Sequence, residues 1–346
     1  NDSKRNYYSP YSDTYHNMDL YCEQIVWKMA EDKLEFAMLG ASGDESFSTF
    51  ESNSYYSEAK FREIGGIDEI NPVIRVYRYM KSRDMVYEFF MDEFAQAIRM
   101  DIMQAKSMIH NLARSGLVSY NEAQGKIYVN DKLVDYAKAS AKSQDYDYDA
   151  LVLQSASRRN NAELDLSNNS LNVHGVEKFV LSDSQQVVIY PRQGELVVGR
   201  NRDITFDGRI NAGRFVFYAT NATFLYEDFK IDLPQVDSMF FFVTKFNNPQ
   251  ELHVVYTPLH NLTGFLQIDQ NDNHSGLKRV KEQYPIFTSQ KDSYVYYDRK
   301  EIFNGTYVRD RFYYTIHPFV VKNMVDFVTD SLSFNGVLTS AGIFPD

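Results

Sequence analysis

The spacing of apolar residues changes near residue 155, and this change constrains the fold more than any other feature of the sequence. Before it, apolar residues recur at roughly helical intervals. After it, they alternate with polar residues along short runs such as "AELDLSNN", "ELVVGRN" and "FKIDLPQV". A helix repeats every 3.6 residues and a strand every two, so one pattern does not suit both elements. A helical part followed by a mainly β part is therefore expected.

The predicted β domain covers residues 156–330. Its short runs of Val, Ile, Leu, Phe and Tyr are each closed by Asn, Asp or Gly, as strands closed by turns are. Evenly spaced short strands are typical of stacked rungs in a β-solenoid or of a jelly-roll-like pair of sheets. The spacing leaves both open. A short helix capped by Ser275 and a hairpin turn at Asn304-Gly305 are also predicted.

The N-terminal part is predicted to be a helical module spanning residues 14–155, preceded by a flexible arm at residues 1–13. Between Met18 and Leu39, apolar residues fall at roughly helical spacing. Pro72 marks the start of a further helix, because proline is favoured at the first helical position. The fold class expected for the whole chain is therefore α+β.

Residues 92–130 form the most readable unit of this module. An apolar stripe on one helix ends near Gly116, a residue type that commonly ends helices. The run "LVSYNEAQGKIYV" then predicts a β-hairpin with Gly125 in its turn. Two helices followed by a hairpin lead to a winged-helix-like interpretation of this segment.

One phrase occurs twice in the sequence. "ITFDGRINAGRF" at residues 204–215 and "LSFNGVLTSAGIF" at residues 332–344 share a Phe followed by Asp or Asn, a Gly, and a later Ala-Gly pair. We interpret the copies as one structural unit used twice. Residues 331–346 would then begin a second β-unit, and the chain would be a slice of a longer repetitive protein.

Charge and composition limit the classes of function. The net charge is −11 and the isoelectric point is about 5.2, which disfavours binding to nucleic acid through phosphate neutralisation. No apolar run reaches the length of a transmembrane helix. Cys22 is the single cysteine, so no intramolecular disulfide is possible, and a buried inert thiol is expected.

Several phrases of the sequence resemble very large, uncharacterised exported envelope proteins of Bacteroidota-type bacteria. They include "NAELDLSNNSLNVHGVEKFVLSDSQQVVIYP", "NRDITFDGRINAGRF", "LQIDQNDNHSG" and "SAGIFPD", and the likeness covers most of residues 20–346. The resemblance implies an exported setting, either periplasmic or at the outer cell surface. It supplies no catalytic residues to transfer.

The run "IDQNDNHSG" is a candidate calcium site. Asp269, Asn271, Asn273 and Ser275 carry oxygen-bearing side chains at alternate positions, as residues of a calcium loop do. The run lacks the glycine and the glutamate that an EF-hand loop requires at fixed positions. An Asx-rich turn explains the same residues without a metal. No other cofactor is expected.

The leading functional hypothesis is a non-enzymatic structural or interaction module of a larger envelope protein. A rigid β scaffold would present tyrosine-rich faces to a protein or a glycan, because tyrosine rings offer large, rigid contact areas. The candidate contact residues are Tyr294, Tyr296, Tyr297, Tyr313 and Tyr314.

Two alternatives stay open. One is a glycan-binding or glycan-acting surface protein, which as an enzyme would need two converging carboxylates. The other is a winged-helix DNA-binding regulator, for which Lys106, His110 and Arg114 would form the basic face of the second helix. Acidic residues beside that helix disfavour this last alternative.

Overall fold

The computed structural model describes residues 9–38, 45–66, 69–142, 146–245, 248–255, 258–327 and 333–343. Side chains at 244–245 and 248–253 are outside this description. The chain divides into two compact units, residues 1–169 and residues 170–346. Of the predicted arm and the predicted C-terminal β-unit, residues 1–8, 331–332 and 344–346 lie outside the described residues.

Within its described residues, the first unit contains both strands and helices. Its strands are β1 (Tyr11–Asp13), β2 (Met18–Tyr21), β3 (Gln24–Lys28), β4 (Lys33–Ala37), β5 (Ser46–Ser52), β6 (Glu88–Phe90), β7 (Val118–Asn121), β8 (Lys126–Val129), β9 (Val152–Ser157) and β10 (Ala162–Asp165). Its helices are α1 (Glu58–Gly65), α2 (Pro72–Lys81), α3 (Met91–Ala97), α4 (Ile102–Arg114) and α5 (Asp131–Ser140). The strands form three groups, in the orders β1-β2-β5-β9, β10-β4-β3 and β6-β8-β7.

The prediction of a helical N-terminal module is wrong. Residues 18–37 form three strands, β2, β3 and β4, where helical spacing predicted a helix. Apolar residues at that spacing do not share a buried face: Leu20 is buried, whereas Trp27 and Met29 are 60% and 71% exposed. Asp32 takes the left-handed backbone conformation in the turn that closes the β3–β4 hairpin. In this hairpin Trp27 lies opposite Leu34. Local turn chemistry therefore overrides the apolar spacing.

The α-helices of the described residues lie between residues 58 and 140, and the sequence predicted the start of α2 and the end of α4. Pro72 is the first residue of α2, and the Asn71 side chain accepts a hydrogen bond from the Val73 amide at 2.9 Å. Helix α4 ends at Arg114, two residues before Gly116 with its positive φ. The predicted hairpin is confirmed as β7 and β8. Helices α2–α5 and these strands share one apolar core.

The second unit is built from antiparallel strands. They are β11 (Ser170–Val173), β12 (Phe179–Ser182), β13 (Val187–Val198), β14 (Ile204–Ala212), β15 (Phe215–Leu225), β16 (Lys230–Lys245), β17 (Asn248–Val254), β18 (Leu259–Gln267), β19 (Ile286–Ser289), β20 (Ser293–Tyr296), β21 (Phe312–Ile316), β22 (Val320–Val321) and β23 (Gly336–Ser340). The main path runs β11-β13-β14-β15-β16-β18-β20-β21-β23. Strands β12, β17 and β19 pair beside β13, β16 and β18, and β22 pairs with β19.

This arrangement corrects the prediction of short stacked strands in a solenoid or jelly-roll-like domain. The central strands are long, up to the 16 residues of β16, and successive strands pair antiparallel in a meander. A solenoid would stack its rungs in parallel, and the described strands show no solenoid closure. Runs that end in Asn or Gly continue as strands across β-bulges, as at Asp207-Gly208. The Asn, Asp and Gly residues were therefore interpreted as ends of short strands, although the strands continue through them.

Two further local predictions were also wrong. Residues 275–285 form no helix, although Ser275 was expected to cap one. Strands β20 and β21 do pair antiparallel, but residues 297–311 connect them, and Asn304-Gly305 lies in a 3₁₀ turn inside that connection. Both errors arise from turn residues that stabilise local loops without ending a regular element.

The repeated phrase ends in a similar turn in both copies. Strand β14 is followed by Gly213 at φ 54°, and β23 is followed by Ala341 at φ 55° and Gly342 at φ 78°. The surroundings of the two turns differ. A Cβ at Gly213 would overlap the Met324 carbonyl oxygen, whereas a Cβ at Gly342 would have no neighbour within 4 Å. The two copies of the phrase therefore differ in how well they tolerate a side chain at Gly213 and at Gly342.

We predict that Gly213→Ala destabilises the second unit much more than Gly342→Ala does. Both substitutions place a side chain in the left-handed region, at roughly 1–2 kcal/mol each. Only Gly213→Ala adds an overlap with backbone, which costs roughly 1–3 kcal/mol more. Urea unfolding of the two variants measures the difference. Equal free energies of unfolding would show that the Met324 segment does not pack against this turn.

Candidate functional site

Three of the five predicted contact tyrosines form a cluster on one face of the second unit's sheet. Tyr294 and Tyr296 alternate with the buried residues Ser293 and Val295 along β20. Tyr313 lies opposite Tyr296 on β21. The ring centroids are 6.0 Å apart for Tyr294 and Tyr296, 5.9 Å for Tyr294 and Tyr313, and 6.3 Å for Tyr296 and Tyr313. We call this the tyrosine cluster.

The other two tyrosines do not join this cluster. Tyr314 lies opposite the buried Val295, so it belongs to the other face of the sheet. Its hydroxyl donates a hydrogen bond to the Phe334 carbonyl oxygen at 3.3 Å. Tyr297 packs edge-on against Phe312, and burial raises the pKa of its hydroxyl. These two residues stabilise the fold and are poorly placed to contact a partner.

Two basic side chains border the tyrosine cluster. The Arg309 guanidinium lies 3.9 Å from the centre of the Tyr296 ring, and its Nη1 atom is 3.6 Å from a carboxylate oxygen of Asp298. The His260 ring centroid is 5.4 Å from that of Tyr296. Its Nδ1 atom is 3.1 Å from the Asp237 carbonyl oxygen, and burial lowers the pKa of this imidazole. The histidine is therefore neutral at neutral pH.

One member of the tyrosine cluster, Tyr294, also belongs to a longer series of side chains that was not predicted from the sequence. Antiparallel pairing places one side chain from each of seven adjacent strands opposite the next, from β13 to β21. We call this series the cross-strand row, and it consists of Tyr190, Arg209, Tyr218, Ser238, His260, Tyr294 and Thr315. Each member follows or precedes a buried residue on its own strand. The alternation was visible in the sequence, but the register that aligns the seven strands was not.

The cross-strand row is accessible along its length. Tyr218 is 41% exposed, and the other members are half-buried. Arg209 stacks on Tyr190, with 4.0 Å between the guanidinium carbon and the ring centre. Tyr218 makes an edge contact with Phe240 at 6.1 Å. Rings and a guanidinium held this way offer a preorganised surface for stacking and hydrogen bonding.

Two of the four predicted calcium residues, Asp269 and Asn273, are hydrogen-bonded to protein groups. Asp269 is buried, and its carboxylate accepts hydrogen bonds from Gln185 Nε2 at 2.6 Å and from the Gln270 amide at 2.7 Å. Asn273 is also buried, and its side-chain oxygen accepts from the Lys278 amide at 2.9 Å.

Asn271 is exposed, and Ser275 is half-buried. Within the described residues, no group of three or more His, Cys, Asp or Glu side chains is arranged to hold a metal. Calcium binding stays a prediction, and the geometry also fits an Asx-rich turn.

The first unit contains a buried ionic cluster that the sequence did not indicate. Lys132 Nζ lies 2.5 Å from Asp19 Oδ2 and 3.0 Å from Glu51 Oε2. Lys60 Nζ lies 2.5 Å from the other oxygen of Glu51, and the Tyr21 hydroxyl donates to Glu51 at 3.0 Å. Strands β2 and β5 carry the carboxylates, and helices α1 and α5 carry the lysines. The ionic cluster therefore ties this sheet to the helices.

Charge balance within the ionic cluster decides the pKa shifts. Burial alone would lower the pKa of Lys132, but Glu51 and Asp19 outweigh it and the pKa is raised. Burial also lowers the pKa of Lys60, and there the single neighbouring carboxylate of Glu51 does not compensate. For Glu51, burial raises the pKa, and the charges of Lys132 and Lys60 bring it below the ordinary value.

A cleft of about 590 Å³ lies against this cluster, and Asp19 and Lys132 form part of its wall. The remaining wall is mostly polar, with Asp131 and Asp135 among its carboxylates. Because Asp19 and Glu51 are both bound to lysines, they are poorly placed as a general acid and base. The arrangement is typical of a structural ionic network beside a polar cleft.

The basic residues of the DNA-binding alternative lie on α4. Lys106 and His110 are half-buried, and Arg114 is exposed. His110 Nε2 is 3.5 Å from a carboxylate oxygen of Glu122 in the following hairpin. The exposed side chains near the start of α4 include an apolar one, since Met103 is 69% exposed.

Comparison of the chain with protein-family models, with curated proteins and with solved structures found no match. No helix in the described part of the chain combines the length and the apolar character that crossing a membrane requires.

We predict that Lys132→Met destabilises the first unit strongly. The substitution leaves Asp19 and Glu51 buried without their shared cation, a loss of about 3–5 kcal/mol for a broken buried pair. Lys28→Met is the matched control, because Lys28 pairs with Glu35 on the surface at 2.6 Å. Urea unfolding is expected to show no measurable change for this control. Equal effects would contradict a structural role for the ionic cluster.

The destabilisation by Lys132→Met should shrink as the pH falls. In the native protein the lowered pKa of Glu51 stabilises the fold above its ordinary value of 4.5, and this contribution disappears as the pH falls through the folded pKa. Without Lys132, Glu51 keeps only Lys60 as a cationic partner, so its pKa rises from the lowered native value and protonation at a higher pH relieves part of the lost charge balance. Unfolding free energies measured between pH 7 and pH 4 test this. A constant difference between the two proteins would contradict it.

Proposed function

We propose that this chain is a non-enzymatic interaction module of a larger exported envelope protein. The outer face of the second unit's sheet is its contact surface, and it binds a partner at the cell envelope. The observation that carries the proposal is the tyrosine cluster, in which three half-buried rings contact one another and Arg309 caps Tyr296. The exported setting rests on the resemblance of phrases in the sequence.

Leaving the tyrosine cluster in water costs free energy. Half-buried aromatic rings held in a cluster keep part of their apolar area in water, and a contact surface buries that area on binding. Tyrosine and arginine are enriched at the energetic centres of interfaces, since they combine rigid area with hydrogen-bonding groups. The opposite face of the same strands is already buried in the unit's own core. Among the described residues of these strands, most of the half-buried and exposed side chains lie on the outer face.

We expect the triple variant Tyr294→Ala, Tyr296→Ala, Tyr313→Ala to lose binding to envelope material. Removing three clustered rings at an interface of this kind should weaken binding at least about tenfold. The measurement is co-sedimentation of the purified chain with the envelope fraction of the source organism, over a range of protein concentrations.

The matched control is Phe303→Ala. Phe303 is 75% exposed and lies in the connection between the same two strands, outside the tyrosine cluster. Circular dichroism and the thermal midpoint check that each variant is folded. Co-sedimentation of the folded triple variant at wild-type levels would overturn the proposal, as would a wild-type chain that stays in the supernatant.

A further inference from the structure

The first five members of the cross-strand row alternate between aromatic and hydrogen-bonding side chains from strand to strand, and Tyr294 on β20 then follows His260 directly. Tyr190, Tyr218 and His260 occupy every second strand of the series β13, β15 and β18. Arg209 and Ser238 lie on the strands between them, β14 and β16. Flat rings therefore recur with a period of two strands, and groups that donate or accept hydrogen bonds lie between the rings.

The distance between rings on alternate strands follows from the strand spacing. Neighbouring strands lie about 4.8 Å apart, so rings on alternate strands are separated by roughly 9.6 Å. In an extended β-1,4-linked polysaccharide, successive sugars are turned over, and every second sugar presents the same face. The disaccharide that repeats in such a chain is close in length to two strand spacings. Rings on alternate strands can stack on alternate sugars while the intervening side chains bind hydroxyl groups.

The charge of the cross-strand row favours the same ligand class. The chain carries a net charge of −11, yet the row contains one arginine and no carboxylate. Two nearby carboxylates are paired: Asp207 lies 3.8 Å from Arg192, and Asp298 lies 3.6 Å from Arg309. A third, Asp237, is exposed and accepts a hydrogen bond from Gln235 at 3.0 Å. His260 is neutral at neutral pH because burial lowers its pKa. The row itself therefore carries no negative charge, which suits a neutral polysaccharide.

We infer that the cross-strand row binds an extended β-1,4-linked polysaccharide that runs across the strands, with alternate sugars over Tyr190, Tyr218 and His260. The tyrosine cluster lies beside the sugar site at His260, because Tyr294 is opposite His260 on the next strand. Sheets twist by roughly 20–25° per strand, and small rotations at each glycosidic bond allow the sugar chain to follow. This inference rests on the proposed function, because it names the partner of the same outer face.

The test is calorimetric titration with oligosaccharides of defined linkage and length. The probes are β-1,4-linked glucose and β-1,4-linked N-acetylglucosamine oligomers of two, four and six sugars, with α-1,4-linked glucose oligomers of equal length for comparison. The dissociation constant for a β-linked series should fall at least tenfold from disaccharide to hexasaccharide. The α-linked hexasaccharide should bind at least tenfold more weakly than its β-linked counterpart.

Tyr218→Ala and Phe303→Ala are the paired variants. Tyr218 is the most exposed member of the row, so its ring can be removed with little loss of packing, and binding should weaken at least tenfold. Phe303→Ala should bind as the wild type does. The inference would be overturned if the dissociation constant did not depend on the number of sugars or on the linkage of the oligosaccharide.

The outcomes separate this inference from the proposed function. If the triple tyrosine variant loses envelope binding while no β-linked probe binds, the interaction role stands and the polysaccharide inference fails. If envelope binding is also unaffected by the triple variant, both fail.

Discussion

The antiparallel register of the second unit's sheet determines everything proposed for this protein. Each of the seven strands of the cross-strand row places one set of its described side chains in the core and the other set on the outer face. A shift of one residue in any strand would exchange the two sets and interrupt the cross-strand row. The buried set, which includes Ile210, Phe217 and Met239, makes such a shift costly. The core therefore fixes the positions of the residues that face a partner.

The first unit is held together by a different kind of interaction. Its helices share an apolar core, and the buried ionic cluster ties them to the sheet that carries β2 and β5. An ion pair of this kind costs desolvation energy, and the charges must balance for the cluster to persist. The opposite pKa shifts of Lys132 and Lys60 follow from the number of carboxylates that each lysine contacts. The cluster thus specifies how these elements pack.

Elements whose ends carry turn or capping residues were predicted from the sequence. Strands whose position depends on pairing with distant segments were not. Pro72, Gly116 and the β7–β8 hairpin were foreseen, because proline, glycine and turn residues act locally. Residues 18–37 were predicted as a helix and form strands, because β2 pairs with β5 beyond the β3–β4 hairpin and because the turn at Asp32 that forms this hairpin was not recognised. In the candidate site, the sequence identified Tyr294, Tyr296 and Tyr313. It could not separate them from Tyr297 and Tyr314, because strand register decides which face a residue occupies.

Hydroxyl-radical footprinting of the chain bound to the envelope fraction, read by mass spectrometry, tests the central claim most directly. The claim is that the outer face of this sheet is the contact surface. Oxidation of Tyr190, Tyr218 and Tyr294 should fall on binding, while Phe303 and Trp27 stay as reactive as in the free chain. Protection centred on Phe303 or Trp27, with the three tyrosines unchanged, would contradict the account.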